Sequence, residues 1–264
     1  MMNSNRCSKL LTLLLAATLV VSAVGPAAAM SASASGAPSE AKVGSDVTTT
    51  FTIEKPFSEY DSWTLNGTTH LTDVTWTVKL YDQGGDKIDQ KSYDGQSFDH
   101  ALDKSDAYEV EVKIEGTVPE VTNFTYDPAQ SLLLAELSQV RQGGSSETIA
   151  DPWTFRPYTE ESDEARSAIE DAEDTIADAK DSGAGVSDAE STLSDAVSAF
   201  DGENFGLASD LAGKAADSAD SAQQSNEQTQ MLLYGGAGLL ALLVVVGGAL
   251  WYRSQNQDDY DKLR

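Results

Sequence analysis

Cysteine is nearly absent from this chain of 264 residues: the one cysteine, Cys7, stands before the first apolar run. Disulfides, thiolate metal sites and cysteine nucleophiles are therefore excluded from the body of the protein, whose stability must come from packing. Histidine is almost as scarce. His70 and His100 are the only two, and neither stands in an HxxxH or HExxH spacing, so no imidazole metal site is expected. No Gly-x-Ser-x-Gly elbow occurs, and no glycine-rich phosphate loop is followed by Lys. Positive charge is the third shortage, with 17 Lys and Arg against 43 Asp and Glu, a net of −26. A surface of that sign repels nucleic acid, so no nucleic-acid partner is expected. No catalytic residue, cofactor or metal is assigned, and the chain reads as non-enzymatic. A carboxylate pair could serve a glycosidase, but among so many acids such pairs arise by chance.

Long apolar runs are confined to the two ends. Arg6 and Lys9 precede the run Leu10 to Val24, and Ala27-Ala28-Ala29 follows, the pattern of a signal peptide over 1–29. Met231 to Tyr252 gives 22 residues without a charge. As a helix rising about 1.5 Å per residue it would be about 33 Å long, enough for a hydrocarbon core of about 30 Å. Trp251 and Tyr252 suit an interface, and Arg253, Lys262 and Arg264 follow, which puts the tail 253–264 on the cytoplasmic side. The expectation is a single-pass protein of the cell membrane, N-terminus outside and C-terminus cytoplasmic.

Between these ends the hydrophobic period changes once. Residues 30–42 read as a flexible Ser/Ala/Gly/Pro leader. Over 43–158 the period is two: Val47, Phe51 and Ile53; Val74, Trp76, Val78 and Leu80; Val110, Val112 and Ile114. These are half-buried antiparallel strands joined by turns at Asp82–Asp86, Tyr93-Asp94-Gly95 and Gly143-Gly144, seven or so strands in one sandwich. Leu132 to Val140 fits a strand entering the Gly143-Gly144 hairpin, which is favoured; Asp127-Pro128 before it and glycine after it also fit a short helix. Over 159–230 the spacing becomes four and three, through Ala165, Ile169, Ala172, Ile176 and Ala179, then Val186 to Phe200, then Phe205 to Ala222. Three helices with alanine seams follow, the second opened by a capping box of Ser187 with Glu190. The fold class is α+β in several parts: an immunoglobulin-like antiparallel β-sandwich, an Ala-rich three-helix stalk, and one transmembrane helix.

Two resemblances add to this reading. Residues 30–230 hold 40 acidic and 12 basic side chains, a net of −28, with the acids spread evenly; the composition resembles that of salt-adapted, haloarchaeal-type cell-surface proteins. Trp76 in a strand, the Tyr81-Asp82-Gln83-Gly84-Gly85 turn, and Asp106-Ala107-Tyr108-Glu109-Val110-Glu111-Val112 resemble strands of immunoglobulin-like modules of the PKD and CARDB kind over 47–115. That resemblance implies a spacer or a binding platform.

The candidate sites follow from these readings. Asn66-Gly67-Thr68 and Asn123-Phe124-Thr125 are glycosylation sequons, with Asn66 in turn-like surroundings. Trp63, Tyr60, Tyr93 and Arg141 are placed on sandwich loops as binding-surface candidates, being residue types that fill partner pockets. Acids such as Asp82, Asp86 and Asp89, or Asp99, Asp103 and Asp106, could gather oxygen ligands for calcium, but neither set matches an EF-hand loop, and solvated acids are favoured. The expected function is a membrane-anchored cell-surface binding or structural protein that meets an envelope protein or polysaccharide. The alternative is a sensory or accessory subunit coupling ectodomain binding to a membrane partner.

Overall fold

The computed structural model describes residues 30–255 except 106 and 142; side chains at 230, 232–243, 247, 248 and 250–255 also lie outside the described set. The expected signal peptide, and residues 256–264 of the expected tail, fall outside it as well. The chain divides into two compact units: residues up to 121 with 131–157, and 122–130 with those from 158 on.

The first unit is built from β1 (Ser31–Ser35), β2 (Glu40–Lys42), β3 (Asp46–Glu54), β4 (Ser62–Thr68), β5 (Thr72–Tyr81), β6 (Lys87–Asp94), β7 (Ser97–Asp103), β8 (Glu109–Thr117), β9 (Leu132–Val140), β10 (Ser146–Thr148) and β11 (Trp153–Tyr158). One sheet has the order β1-β3-β8-β5-β6, the other β2-β11-β9-β4-β7 with β10 beside β9. The period-two pattern sets the buried faces: Phe51, Ile53, Trp76, Val78, Val110, Val112 and Ile114 from the first sheet, and Leu65, Phe98, Leu102, Leu134, Leu137 and Phe155 from the second, share one core. Burying each such large side chain contributes about 1.5–3 kcal/mol. Aromatic contacts within it join Trp76 to Phe98 at 4.9 Å and Phe51 to Trp153 at 4.6 Å.

Gly67 is required by that packing. Its partner across the β4–β7 ladder is Phe98, and a Cβ on Gly67 would lie 2.3 Å from Phe98 Cε1. The ring cannot retreat, because it is buried between Trp76 and Tyr93. Gly67→Ala is therefore expected to cost about 1–3 kcal/mol through overpacking; a thermal melt followed by near-UV circular dichroism measures it, and an unchanged midpoint would contradict this packing.

The strand over Leu132–Val140 is present as β9. The leader is not flexible: Ser31–Ser35 pairs with β3 along its whole length, and Ala32 and Ala34 pack on the core. Its small residues carry too little hydrophobic contrast to announce a strand. Asn66 lies inside β4 rather than in a turn, paired to β7 and β9 on its two sides.

The second unit holds α1 (Glu160–Asp181), α2 (Ser187–Asp201) and α3 (Phe205–Gln255). Thr159 caps α1 reciprocally with Ser162, accepting from its N–H at 3.1 Å while the Thr159 N–H donates to Ser162 Oγ at 2.9 Å. The expected box at Ser187 does not form: Val186 occupies the N-cap without a side-chain bond, and the Glu190 carboxylate instead accepts from Lys180 Nζ at 2.7 Å. The alanine seams are buried as their spacing implies, through Ala165, Ala172 and Ala179 on α1, Ala189 and Ala196 on α2, and Ala208, Ala212, Ala215 and Ala219 on α3. Asn226 on α3 donates to the Ser182 carbonyl at the end of α1 at 2.8 Å.

Among the described residues no helix is long and apolar enough to cross a membrane. On that finding the transmembrane part of the expected fold, the single-pass assignment and the cell-membrane location with its outside-to-cytoplasm topology are corrected. Residues 231–252 do not form an element of their own; they continue α3, a helix of 51 residues that begins at Phe205 and includes the polar stretch Gln223–Gln230.

Candidate functional site

At one end of the first unit the 55–61 segment, residues 103–105 and Arg141 at the end of β9 come together. Lys55 turns the chain with φ 51°, and the Ser58 N–H donates back to its carbonyl at 3.1 Å. Pro56 presents its carbonyl to Trp63 Nε1 at 2.8 Å. Trp63 is thus a strand residue of β4, 4% exposed in the core, and not a loop anchor. The alternation of Trp63, Leu65 and Gly67 faces it inward.

Tyr60 and Arg141, two of the four binding candidates, do meet at the surface. Arg141 Nη1 donates to Tyr60 Oη at 2.5 Å, and the guanidinium lies 4.9 Å above the Tyr60 ring. Its Nη2 is 3.9 Å from Glu147 Oε2. Stacking and hydrogen bonding together hold the guanidinium flat. Beside it runs an open groove of about 400 Å³ lined by Ser62, Trp63, Thr64, Ala101, Asp103 and Arg141. Asp103 accepts from the Ser105 N–H at 3.1 Å and from Ser105 Oγ at 2.9 Å, bonds that hold its carboxyl below the usual value. The groove therefore offers one fixed cation and one fixed anion.

Tyr93 is not part of this group. It stands on β6, stacked on Phe98 at 5.4 Å, with its hydroxyl 2.7 Å from His100 Nδ1. The amide of Asn66 is engaged by the Phe98 carbonyl at 3.2 Å and by Asp99 Oδ1 at 3.0 Å. Asn123 belongs to the second unit and is exposed, with φ 69°. Asp82 spends its carboxylate on its own turn, accepting from the N–H groups of Gly84 and Asp86 at 2.8 and 3.0 Å. Among the described residues no group of three His, Cys, Asp or Glu side chains could hold a metal ion.

One constellation in the second unit was not foreseen. Glu203, at φ 58° in the α2–α3 turn, accepts from the backbone N–H groups of Asn123 and Phe124, and Asp201 Oδ1 accepts from the Tyr126 N–H at 2.8 Å. From the other side Arg166 Nη2 donates to the carbonyls of Thr125 and Tyr126 at 3.1 and 2.8 Å, its guanidinium 4.5 Å above the Tyr126 ring. Segment 122–130 is thereby gripped by acids at its N–H groups and by a cation at its carbonyls. Burial, with Glu173 beside it, pushes the Tyr126 phenol well above its usual value. The signal available in sequence was Arg166, a lone cation near the start of an acidic helix.

No family model and no curated protein matches the chain. Solved structures give low similarity. The sporulation control protein Spo0M of Bacillus subtilis has 13% identity, covering 54% of this chain and 55% of its own, with a TM-score of 0.28. A DUF4466 family protein from Parabacteroides merdae has 10%, covering 48% and 44%, at 0.29. AvmM, which catalyses macrocyclization in alchivemycin A biosynthesis, has 11%, covering 48% and 88%, at 0.29. The chain thus spans about half the length of the first two, and at these scores none of the three bears on function.

Proposed function

We propose that the chain is a non-enzymatic binding or structural protein of the cell envelope, and that its sandwich carries the recognition surface. The supporting observation is the Tyr60–Arg141 pair, an aromatic and a guanidinium held together beside the groove. Tyr and Arg are the residue types that dominate binding energy, and fixing them before contact removes part of the ordering cost. The even acidity, −28 over residues 30–230, suits a surface working in concentrated salt, as the compositional resemblance implies. The partner in this reading is an envelope protein or polysaccharide with a hydrogen-bonding face for the guanidinium.

The test is cosedimentation of the full-length chain with isolated envelope. Arg141→Ala is expected to weaken it by about 10-fold or more, the loss of one anchor. Lys180→Ala, on a helix of the second unit, should leave it unchanged. Equal loss in both variants, or none in the first, would remove the groove from the function. Trp63→Ala is unsuitable, since it would hollow the core.

A further inference from the structure

We propose that the chain carries an N-linked glycan at Asn123 and none at Asn66. The inference rests on the reading of the chain as an envelope protein, because such glycans are added to exported segments. Both asparagines open an Asn-x-Thr triplet, but the two triplets have opposite surroundings. Asn66-Gly67-Thr68 lies wholly inside β4, with its backbone paired to β7 on one side and to β9 on the other. The Asn66 Nδ2 donates to the Phe98 carbonyl at 3.2 Å and to Asp99 Oδ1 at 3.0 Å, and Ser138 Oγ stands 3.5 Å from its Oδ1. A side-chain amide has two hydrogens, and a glycan replaces one of them. A chain modified here before folding would have to close β4 with one of these bonds lost and a sugar ring between its two neighbouring strands.

Asn123-Phe124-Thr125 lies between β8 and β9, where residues 118–131 form neither strand nor helix. Phe124 and Tyr126 are buried, and Asn123 and Thr125, which alternate with them, are exposed. The helical unit grips this segment by its backbone: Glu203 accepts from the N–H groups of Asn123 and Phe124, and Arg166 donates to the carbonyls of Thr125 and Tyr126. That grip leaves the two acceptor side chains at the surface. The φ of 69° at Asn123 lies where asparagine is favoured among residues other than glycine. Its Nδ2 has one hydrogen-bond contact among the described residues, with the adjacent Thr122 Oγ1 at 3.4 Å, so a hydrogen is free for substitution. The Thr125 hydroxyl, donating to the Pro128 carbonyl at 2.7 Å, is at the surface too. Transfer requires an oligosaccharide on a polyprenyl phosphate or pyrophosphate as donor. Asn123 Nδ2 bonds to the sugar C1 as the C1–O bond breaks; the phosphate keeps that electron pair and the amide releases one proton to solvent. The glycan would then stand over a long exposed segment of the kind that proteases nick.

The test is glycopeptide mass spectrometry on the full-length chain recovered from the envelope fraction of its native cells. The peptide holding Asn123 is expected to carry a series of sugar masses, and the peptide holding Asn66 to have its unmodified mass. Asn123→Gln should abolish the glycan. Thr125→Ala should abolish it as well although the asparagine remains, Thr125→Ser should restore it, and Asn66→Gln should leave it in place. A chain present in the envelope with Asn123 bare, with sugar on Asn66, or with sugar that survives Thr125→Ala would overturn this assignment and leave the proposed function standing. Absence of the chain from the envelope would remove both.

Discussion

Phe200→Ala is expected to remove about 3–5 kcal/mol from the helical unit, the usual cost of emptying a phenylalanine site in a core. The size follows from how many aromatic contacts meet at this one side chain. The unit's seams are mostly alanines that bury small areas, with Ile169 and Ile176 buried among them, and the aromatic contacts converge on Phe200, which lies 5.8 Å from the Tyr126 ring, 5.2 Å from Phe205 and 5.3 Å from the Arg166 guanidinium. Phe124 joins through Phe205 at 5.5 Å. Truncation would leave Arg166 beside a void and segment 122–130 without its hydrophobic seat. Far-UV circular dichroism should show the helices melting at lower temperature, while the near-UV signal of Trp63, Trp76 and Trp153 in the sandwich persists. A helix midpoint equal to that of the parent chain would show that the cluster is not the core of this unit.

Transfer from molar salt to dilute buffer should have the second large effect. Between residues 160 and 227 there are 19 acidic and three basic side chains, a net of −16. Screening extends over about 3 Å at 1 M and about 30 Å at 0.01 M ionic strength, so dilution exposes each helix to the others' charge. Ion pairs that oppose that repulsion include Lys180 with Glu190 at 2.7 Å and Arg166 with Glu170 at 3.7 Å. The first lies at the surface, where such pairs contribute about 0–1 kcal/mol. Helix content should fall on dilution before the sandwich responds, and return with added salt. Constant ellipticity over the whole series would argue against salt adaptation.

Much of the architecture was legible because both hydrophobic periods are clean. Trp76, Val78 and Leu80 alternate with Thr and Lys, and the Ala165–Ala179 seam repeats at helical spacing, so the buried faces could be assigned from spacing alone. Elements built from small or polar residues were not legible. β1 is Ser and Ala throughout, and β4 carries Thr, Asn and Gly around Trp63, which made its core residue look like a loop residue. Glu190 had a sequence partner in Ser187 and a spatial one in Lys180, ten residues earlier; only the fold decides between them. Of the candidate site, residue types were legible and company was not. Tyr60 and Arg141 are 81 positions apart and meet, whereas Tyr93 turns to Phe98 and His100.

The assignment of 122–130 to the helical unit means that the polypeptide passes between the two units three times, near 121, 131 and 157. No single cut separates them. A fragment ending at Tyr158 would retain Phe124 and Tyr126 with their rings stripped of Phe200 and Phe205, and a fragment beginning at Thr159 would lack both rings, leaving Asp201 and Glu203 with no N–H groups to hold. Dissection by truncation would thus yield two sticky halves. The separable pieces are instead the sandwich with 122–130 replaced by a short polar bridge, and the helices with that peptide supplied in trans.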